Sequence, residues 1–374
     1  MNWQRLLAIL IKEFLQLRRD RLTFAMMIGV PVMQLVLFGF AINTDPKSLP
    51  TALLVADHSL HARSLVAGLE NSGYFRIVER TASAARSEQL LARGSVQFAL
   101  EIPAGFARAL ERGERPALLF AVDATDPAAA SGALAALGDI ARRALAHDAK
   151  GALARLNGAE LPYEIRIQRR YNPEALARYN IVPGLLGVIL TMTMVMMTAL
   201  AMTRETERGT MENLLATPAR PLEVMVGKIA PYIGIGYVQV AVVLMAARWL
   251  FGVPMLGSYA LLTAALALFM AAQLAVGFTF STIARSQLQA VQLTFFYFLP
   301  SILLSGFMFP FRGMPGWAQA LGEMLPLTHF LRVVRGIMLK GNGAADIAPH
   351  LWPIAAFMLV AGSVALVKYR RTLD

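Results

Sequence analysis

The chain has 374 residues, 56% of them hydrophobic and 16% charged, and its mean hydropathy is positive. A soluble domain carries roughly 45–50% apolar and 25% charged residues, so an ordinary water-soluble globule is excluded. The net charge of +11 is no nucleic-acid signature either: residues 43–178 hold 17 basic and 15 acidic residues, and the excess lies beside apolar runs.

Residues 1–21 form a charged lead with Arg5, Lys12, Arg18, Arg19 and Arg21, expected to be an interfacial helix on the cytoplasmic side. Leu22–Thr44 follows as the first uncharged run, and about 20 such residues suffice for a helix to cross the hydrocarbon core. The lead and the apolar core are both longer than in a cleavable signal peptide, and no A-x-A-like site follows. An uncleaved anchor is therefore expected. Cysteine is absent, which removes disulfides, zinc–thiolate sites and thiol nucleophiles from consideration.

Residues 45–178 read as an inserted domain. Thr51–Ala56, Tyr74–Glu79, Val96–Ile102, Ala117–Val122 and Tyr163–Gln168 have strand patterning. Leu60–Asn71, Ser83–Arg93, Gly105–Arg112 and a long Ala/Leu-rich run from Pro127 to Leu156 have helical patterning. Such alternation predicts an α/β unit with its own core.

From residue 179 the chain returns to apolar runs: Tyr179–Thr203, Ile229–Ala247, Trp249–Ala284, Ser286–Phe311 and Leu351–Val367. Gly252-Val253-Pro254 and Gly257-Ser258 break the longest of these, placing its span near Tyr259–Ile283. The expectation is an α-helical integral membrane protein of six transmembrane helices with an inserted extracytoplasmic α/β domain. Basic residues cluster before the first span, at 204–228, at Arg285 and at Lys368, Arg370 and Arg371. Six spans put all four segments on one face, which the positive-inside rule makes cytoplasmic, along with both termini.

Between the second and third spans lies Arg204–Pro218, RETERGTMENLLATP. Met211, Leu214 and Leu215 recur at i, i+3, i+4 amid Arg204, Glu205, Glu207, Arg208 and Glu212, and Pro218 ends the run. This is the pattern of a short amphipathic helix outside the membrane, suited to serve as a lever pushed by another protein. Phe311–Pro349 is expected to hold two external helices, one opened by Pro315 and one by Pro326, the latter closed by Gly341. In the second, Leu327, Phe330, Leu331, Val334, Ile337 and Met338 form an apolar stripe and Arg332 and Arg335 a basic one. Such a helix lies in the outer interface or dips back into the membrane.

No G-x-x-x-x-G-K-[ST], H-E-x-x-H or G-x-S-x-G occurs; Gly227-Lys228 lacks the rest of a phosphate loop. The spans carry no central Asp, Glu, Lys or Arg, which disfavours ion coupling. Their polar groups are Gln34, Gln239, Gln273 and Gln292, which fit interhelical hydrogen bonding better than substrate ligation. Asp57, His58 and His61 sit together at a strand end and fit surface loop residues better than a metal site. His329 is expected on the polar face of its helix. Met192, Met194, Met196, Met197 and Met202 crowd the second span, as adaptable packing or as a pliable wall for varied substrates.

Four stretches resemble the permease subunit of ABC-2 type exporters, in the branch with a large external domain after the first span. They are Tyr171–Leu185 (YNPEALARYNIVPGL), Arg204–Tyr232 (RETERGTMENLLATPARPLEVMVGKIAPY), Leu299–Lys340 and Val122–Ile140 with its D-x-x-D-P. The second is similar to the family's R-E-x-E-x-G-T-x-E-x-L-L-x-T-P cytoplasmic signature. The resemblance implies a non-catalytic half-transporter in a bacterial inner membrane, paired with a second permease and docked to a cytoplasmic ATPase subunit. That subunit would hold ATP and Mg, with no cofactor on this chain. Arg204, Glu205, Glu207, Gly209, Thr210, Met211, Glu212, Leu214 and Leu215 would be its coupling helix, and Phe330, Arg332 and Arg335 would belong to the external re-entrant helix. A periplasmic adaptor is a further partner to test for on the external domain. The alternatives are a membrane-anchored sensor or assembly platform, for which six spans are excessive, and an intramembrane enzyme, which lacks a nucleophile or metal motif.

Overall fold

The computed structural model describes residues 46–146, 161–207 and 221–371. The expected first span, 22–44, lies outside them, as do residues 147–160 and 208–220. Five helices among the described residues are long and apolar enough to cross a membrane.

Residues 46–170 build a five-stranded sheet of order β2-β1-β3-β4-β5. The strands are β1 (Leu49–Val55), β2 (Phe75–Thr81), β3 (Phe98–Ile102), β4 (Ala117–Asp123) and β5 (Glu164–Arg170). Only the β3–β4 pair is antiparallel. Four helices connect them: α1 (Leu60–Asn71), α2 (Ala84–Ala92), α3 (Phe106–Arg112) and α4 (Pro127–Ala146). The elements match the expected ones within a few residues, because Ser59 and Ser83 cap the first two helices through their hydroxyls as their positions suggest. For the long helix expected to Leu156, the described part ends at Ala146.

Strand alternation gives the sheet two unlike faces. Leu53, Phe98, Leu100 and Phe120 point to one side, into a core completed by Leu65, Leu69, Phe106 and Tyr163. Phe75, Phe98 and Phe120 meet there edge to face, with centroids 5.2–6.5 Å apart. Ala52, Ala99 and Ala121 point to the other side, where Leu90 and Leu91 of α2 cover them. Small side chains there bring α2 close to the sheet, and its carboxyl end then faces the helical bundle. Expressed alone as residues 47–170, this unit should fold without metal or disulfide, since its core is self-contained. A random-coil circular dichroism spectrum in all buffers would count against that.

The bundle comprises α5 (Ala177–Glu207), α6 (Pro221–Trp249), α7 (Tyr259–Ile283), α8 (Gln287–Leu304) and α11 (Ala344–Arg371). Two short helices, α9 (Gly316–Glu323) and α10 (Pro326–Arg335), precede α11. Helix α7 is central, packed on α5 and α11. Gly277 makes this approach, since a Cβ there would sit 2.5 Å from the Val195 carbonyl oxygen. The break between α6 and α7 falls at 252–258, as Gly252 and Gly257 suggest. Leu256 and Gly257 donate their amides to the carbonyls of Met338 and Ile337, at 2.9 and 3.0 Å. The sheet domain and the 208–220 segment thus attach to opposite ends of α5.

Candidate coupling end and domain junction

Sequence marks Arg204 as the start of a separate helix, but the structure runs α5 unbroken to Glu207. The first four residues of the expected coupling segment, Arg204–Glu207, therefore belong to the spanning helix. Arg204 and Glu207 are solvent-exposed. The Glu207 carboxylate accepts from the backbone amide of Gln287 at 2.7 Å and from its side-chain amide at 2.6 Å. It thus satisfies a free amide at the start of α8, where the helix dipole also favours negative charge. Gly209, Thr210, Met211, Glu212, Leu214 and Leu215 lie outside the described residues, as does the side chain of Glu205.

Inside the bundle Gln239 and Gln273 act as the sequence suggests. Gln273, fully buried, donates to the Thr191 hydroxyl at 3.3 Å and accepts from Tyr297 at 3.1 Å, tying α7 to α5 and α8. Gln239 of α6 accepts from Thr193 of α5 at 3.0 Å. Gln34 lies outside the described residues. Met194 and Met202 are core residues, while Met192, Met196 and Met197 are only half-buried.

Helix α10 does not lie on a surface. Leu327, Thr328, Phe330, Leu331, Val333 and Val334 are all buried, against α5, α7, α8 and α11. Phe330 stacks on Phe269 of α7 with centroids 4.1 Å apart. His329 is buried as well, on the same face as Arg332, with which it shares Glu323 as a partner. Its Nε2 donates to the Glu323 carbonyl at 2.8 Å and its Nδ1 faces Nδ1 of His350 at 3.5 Å, so a structural role fits it. The two arginines expected as one stripe take different partners. Arg332 forks onto the Glu323 carboxylate at 2.6 and 3.0 Å and lies over the Phe311 ring. Burial opposes ionisation of Glu323, but this fork outweighs it and holds the carboxyl below its usual range. Among the described residues, Arg335 donates to the Gly306 carbonyl, at 3.4 Å. A π-turn, Gly336–Lys340, continues α10 and ends at Gly341, whose φ of +70° is the left-handed cap its position suggests.

That turn delivers a set of contacts that sequence reasoning missed. Lys340 pairs with Asp123 of β4 at 2.5 Å, both side chains 7% exposed, and donates to the Leu91 carbonyl at 3.1 Å. The amide of Asn342 donates to the Ala92 carbonyl at 3.1 Å, and Arg312 to that of Gly94 at 2.6 Å. Three donors from the bundle thus occupy the carboxyl end of α2, where carbonyls lack partners and the helix dipole favours cations. Arg93 adds an ion pair to Asp346 at 2.9 Å. Tyr171, at a φ of +67°, puts its ring 5.1 Å from the Lys340 ammonium, and Asn180 donates to Asp126 at 3.2 Å. Between the two units remains a polar chamber of about 370 Å³.

No group of three or more potential metal ligands occurs among the described residues. Asp57 serves structure instead, accepting the amides of Ser59 at 2.8 Å and Ala107 at 3.0 Å, so that it ties the end of β1 to the start of α3. Burial works against its charge, yet these amides outweigh it and hold its carboxyl below the ordinary range. His61 approaches Glu111 at 4.0 Å and His58 is exposed.

A bundle with five candidate membrane spans among the described residues, joined to an α/β domain at one end and a charged segment at the other, has the architecture of a transporter membrane subunit. The profile of the ABC-2 family transporter proteins matches residues 21–367, and the chain belongs to that family. It is 30% identical to the probable multidrug ABC transporter permease YbhS of Escherichia coli K12, covering 100% of this chain and 99% of that one. It is 27% identical to YbhR of the same strain, described in the same terms, over 99% of each chain. It is also 28% identical to the inner membrane transport permease YhhJ, over 91% of this chain and 93% of that one. The chain is accordingly a permease subunit of an ABC exporter, with ATPase activity in a separate subunit.

Proposed function

We propose that this permease crosses a bacterial inner membrane six times, with both termini in the cytoplasm and the sheet domain outside. Two permeases pair to form the export path, each docked through 204–218 to a cytoplasmic ABC ATPase that holds ATP and Mg. Substrate enters along the spans, whose half-buried Met192, Met196 and Met197 form a compliant wall. The multidrug names of the Escherichia coli relatives support varied apolar cargo. The external domain is the docking place for a periplasmic adaptor, if one takes part.

The observation that carries this reading is Glu207. It is the last described residue of α5, at the start of the expected coupling segment, and grips the first turn of α8. A push on the segment would therefore move two spanning helices together. Reporter fusions test the topology: Lys150 and Gly343 should read external, Arg220 and Asp374 cytoplasmic. A cytoplasmic Lys150 would overturn the arrangement.

A further inference from the structure

Two histidines face each other where α10 meets α11 beside the sheet domain. His329 of α10 is 6% exposed and His350 of α11 is half-buried. Their Nδ1 atoms are 3.5 Å apart and their ring centroids 5.7 Å apart. The surroundings decide which nitrogen carries which proton. Nε2 of His329 lies 2.8 Å from the Glu323 carbonyl and 3.5 Å from its carboxylate, so that nitrogen keeps its hydrogen. A neutral His329 therefore turns a lone pair at Nδ1 toward His350, and a hydrogen on Nδ1 of His350 completes the contact. One more proton fits, on Nε2 of His350. A further one sets two N–H groups against each other and breaks the contact.

The charges around the pair oppose both protons. Arg332 of α10, Lys340 of the π-turn and Glu323 of α9 face His350, and Arg332 and Glu323 face His329. Arg332 already forks onto the Glu323 carboxylate, at 2.6 and 3.0 Å, and Lys340 is paired with Asp123. Burial holds the His329 imidazole below its ordinary value, against the pull of the Glu323 carbonyl. The remaining carboxylate is Asp346, one turn before His350 on α11, where residues four apart are neighbours. It is held by Nε of Arg93, from the end of α2, at 2.9 Å. A charged His350 gains Asp346 only in competition with Arg93, and that ion pair ties the sheet domain to α11. An imidazole that ionises less readily in the folded protein stabilises the fold above its ordinary value, about 6.5, and loses that effect as the pH falls below it.

We propose that His329 and His350 form a proton-operated latch. Neutral, it closes α10 on α11 and leaves Asp346 to Arg93. Acidified, it opens, and the sheet domain stays with the π-turn through Lys340 but parts from α11. This goes beyond the exporter reading. Only the outer compartment as the source of protons rests on that reading, and a test in detergent, where every face meets one pH, does not depend on it.

The test uses the full-length permease in a nonionic detergent at about pH 7.5 and about pH 5.0, which bracket the ordinary imidazole value. Unfolding temperature is the first readout, with an expected loss of about 5 °C on acidification. His350→Asn keeps an N–H near the position of Nδ1 but takes no proton, and should lose at most half as much. His58, His61 and the carboxylates titrate in both proteins, so the difference between the two belongs to the pair. The second readout is distance. The chain has no cysteine, so nitroxides on Arg108→Cys in α3 and Ala348→Cys in α11, both exposed positions, report only the separation of the sheet domain from α11. That distance distribution should shift or broaden on acidification, and should stay unchanged in the His350→Asn background. No acid loss, or an equal loss in His350→Asn, overturns the latch. An unchanged distance overturns it even where stability falls, since buried histidines alone would cause that fall. Should His350→Asn fail to fold, His329→Gln, which keeps a donor for the Glu323 carbonyl, replaces it under the same criteria. If neither folds, the distance measurement with both histidines in place decides.

Discussion

Asp123→Ala should destabilise the full-length protein by about 3–5 kcal/mol, the range for removing one partner of a buried ion pair. Asp123 and Lys340 are each 7% exposed and 2.5 Å apart, so each relies on the other far more than on solvent. Without the carboxylate, the ammonium keeps only the Leu91 carbonyl and the Tyr171 ring. Without the ammonium, as in Lys340→Met, Asp123 keeps the amide and hydroxyl of Thr125. The double variant Asp123→Ala/Lys340→Met removes both charges and should recover much of the loss, because replacing a buried pair with apolar groups is often close to neutral. Thermal unfolding of the four proteins in detergent gives the coupling energy, expected to be at least about 2 kcal/mol, within the range for residues in contact. Additive losses would show that the pair does not join the domains.

This junction also shows where sequence reasoning stops. Hydropathy located the described spans because no water is present to satisfy a broken backbone in a bilayer. Short apolar runs alternating with helical segments located the strands because each strand had to be covered by a helix. Pro326 and Gly341 marked helix ends because those effects reach only a few residues. The Asp123–Lys340 pair joins positions 217 apart in the chain, and no local period encodes such a contact. A signal was nonetheless present. Asp123 and Asp126 lie in the D-x-x-D-P stretch, Tyr171 and Asn180 in YNPEALARYNIVPGL, and Lys340 ends the third stretch. Three stretches singled out only for likeness turn out to meet at one site. Helix α10 shows another limit: its amphipathic pattern left open whether it lies in the outer interface or dips back into the membrane, and only the tertiary packing shows that Arg332 and Arg335 line the cavity beside the sheet domain.

At the other end of the bundle, Leu214→Asp should abolish recovery of the ATPase subunit with the permease. Residues 208–220 join α5 to α6, and their apolar positions Met211, Leu214 and Leu215 fall on one side of a helix. A groove on the ATPase that receives this stripe would have to desolvate an unpaired carboxylate in the variant, at a cost of several kcal/mol. Since about 1.4 kcal/mol is tenfold in affinity, a complex of ordinary strength would not survive purification. The substitution leaves the spans and the sheet domain untouched, so abundance in the membrane should stay normal. Gly209→Pro separates docking from transmission. It lies two residues beyond Glu207, the last described residue of α5, and proline there would interrupt the coupling helix that the sequence pattern predicts while sparing the stripe. That variant should retain part of its ATPase binding but lose substrate-stimulated ATP hydrolysis. Glu207→Ala should behave in the same direction more mildly, because it frees α8 from the end of α5 while leaving the segment itself intact. Export at the wild-type level by Leu214→Asp would reduce Arg204–Pro218 to a connecting loop, and the ATPase would have to grip the permease elsewhere.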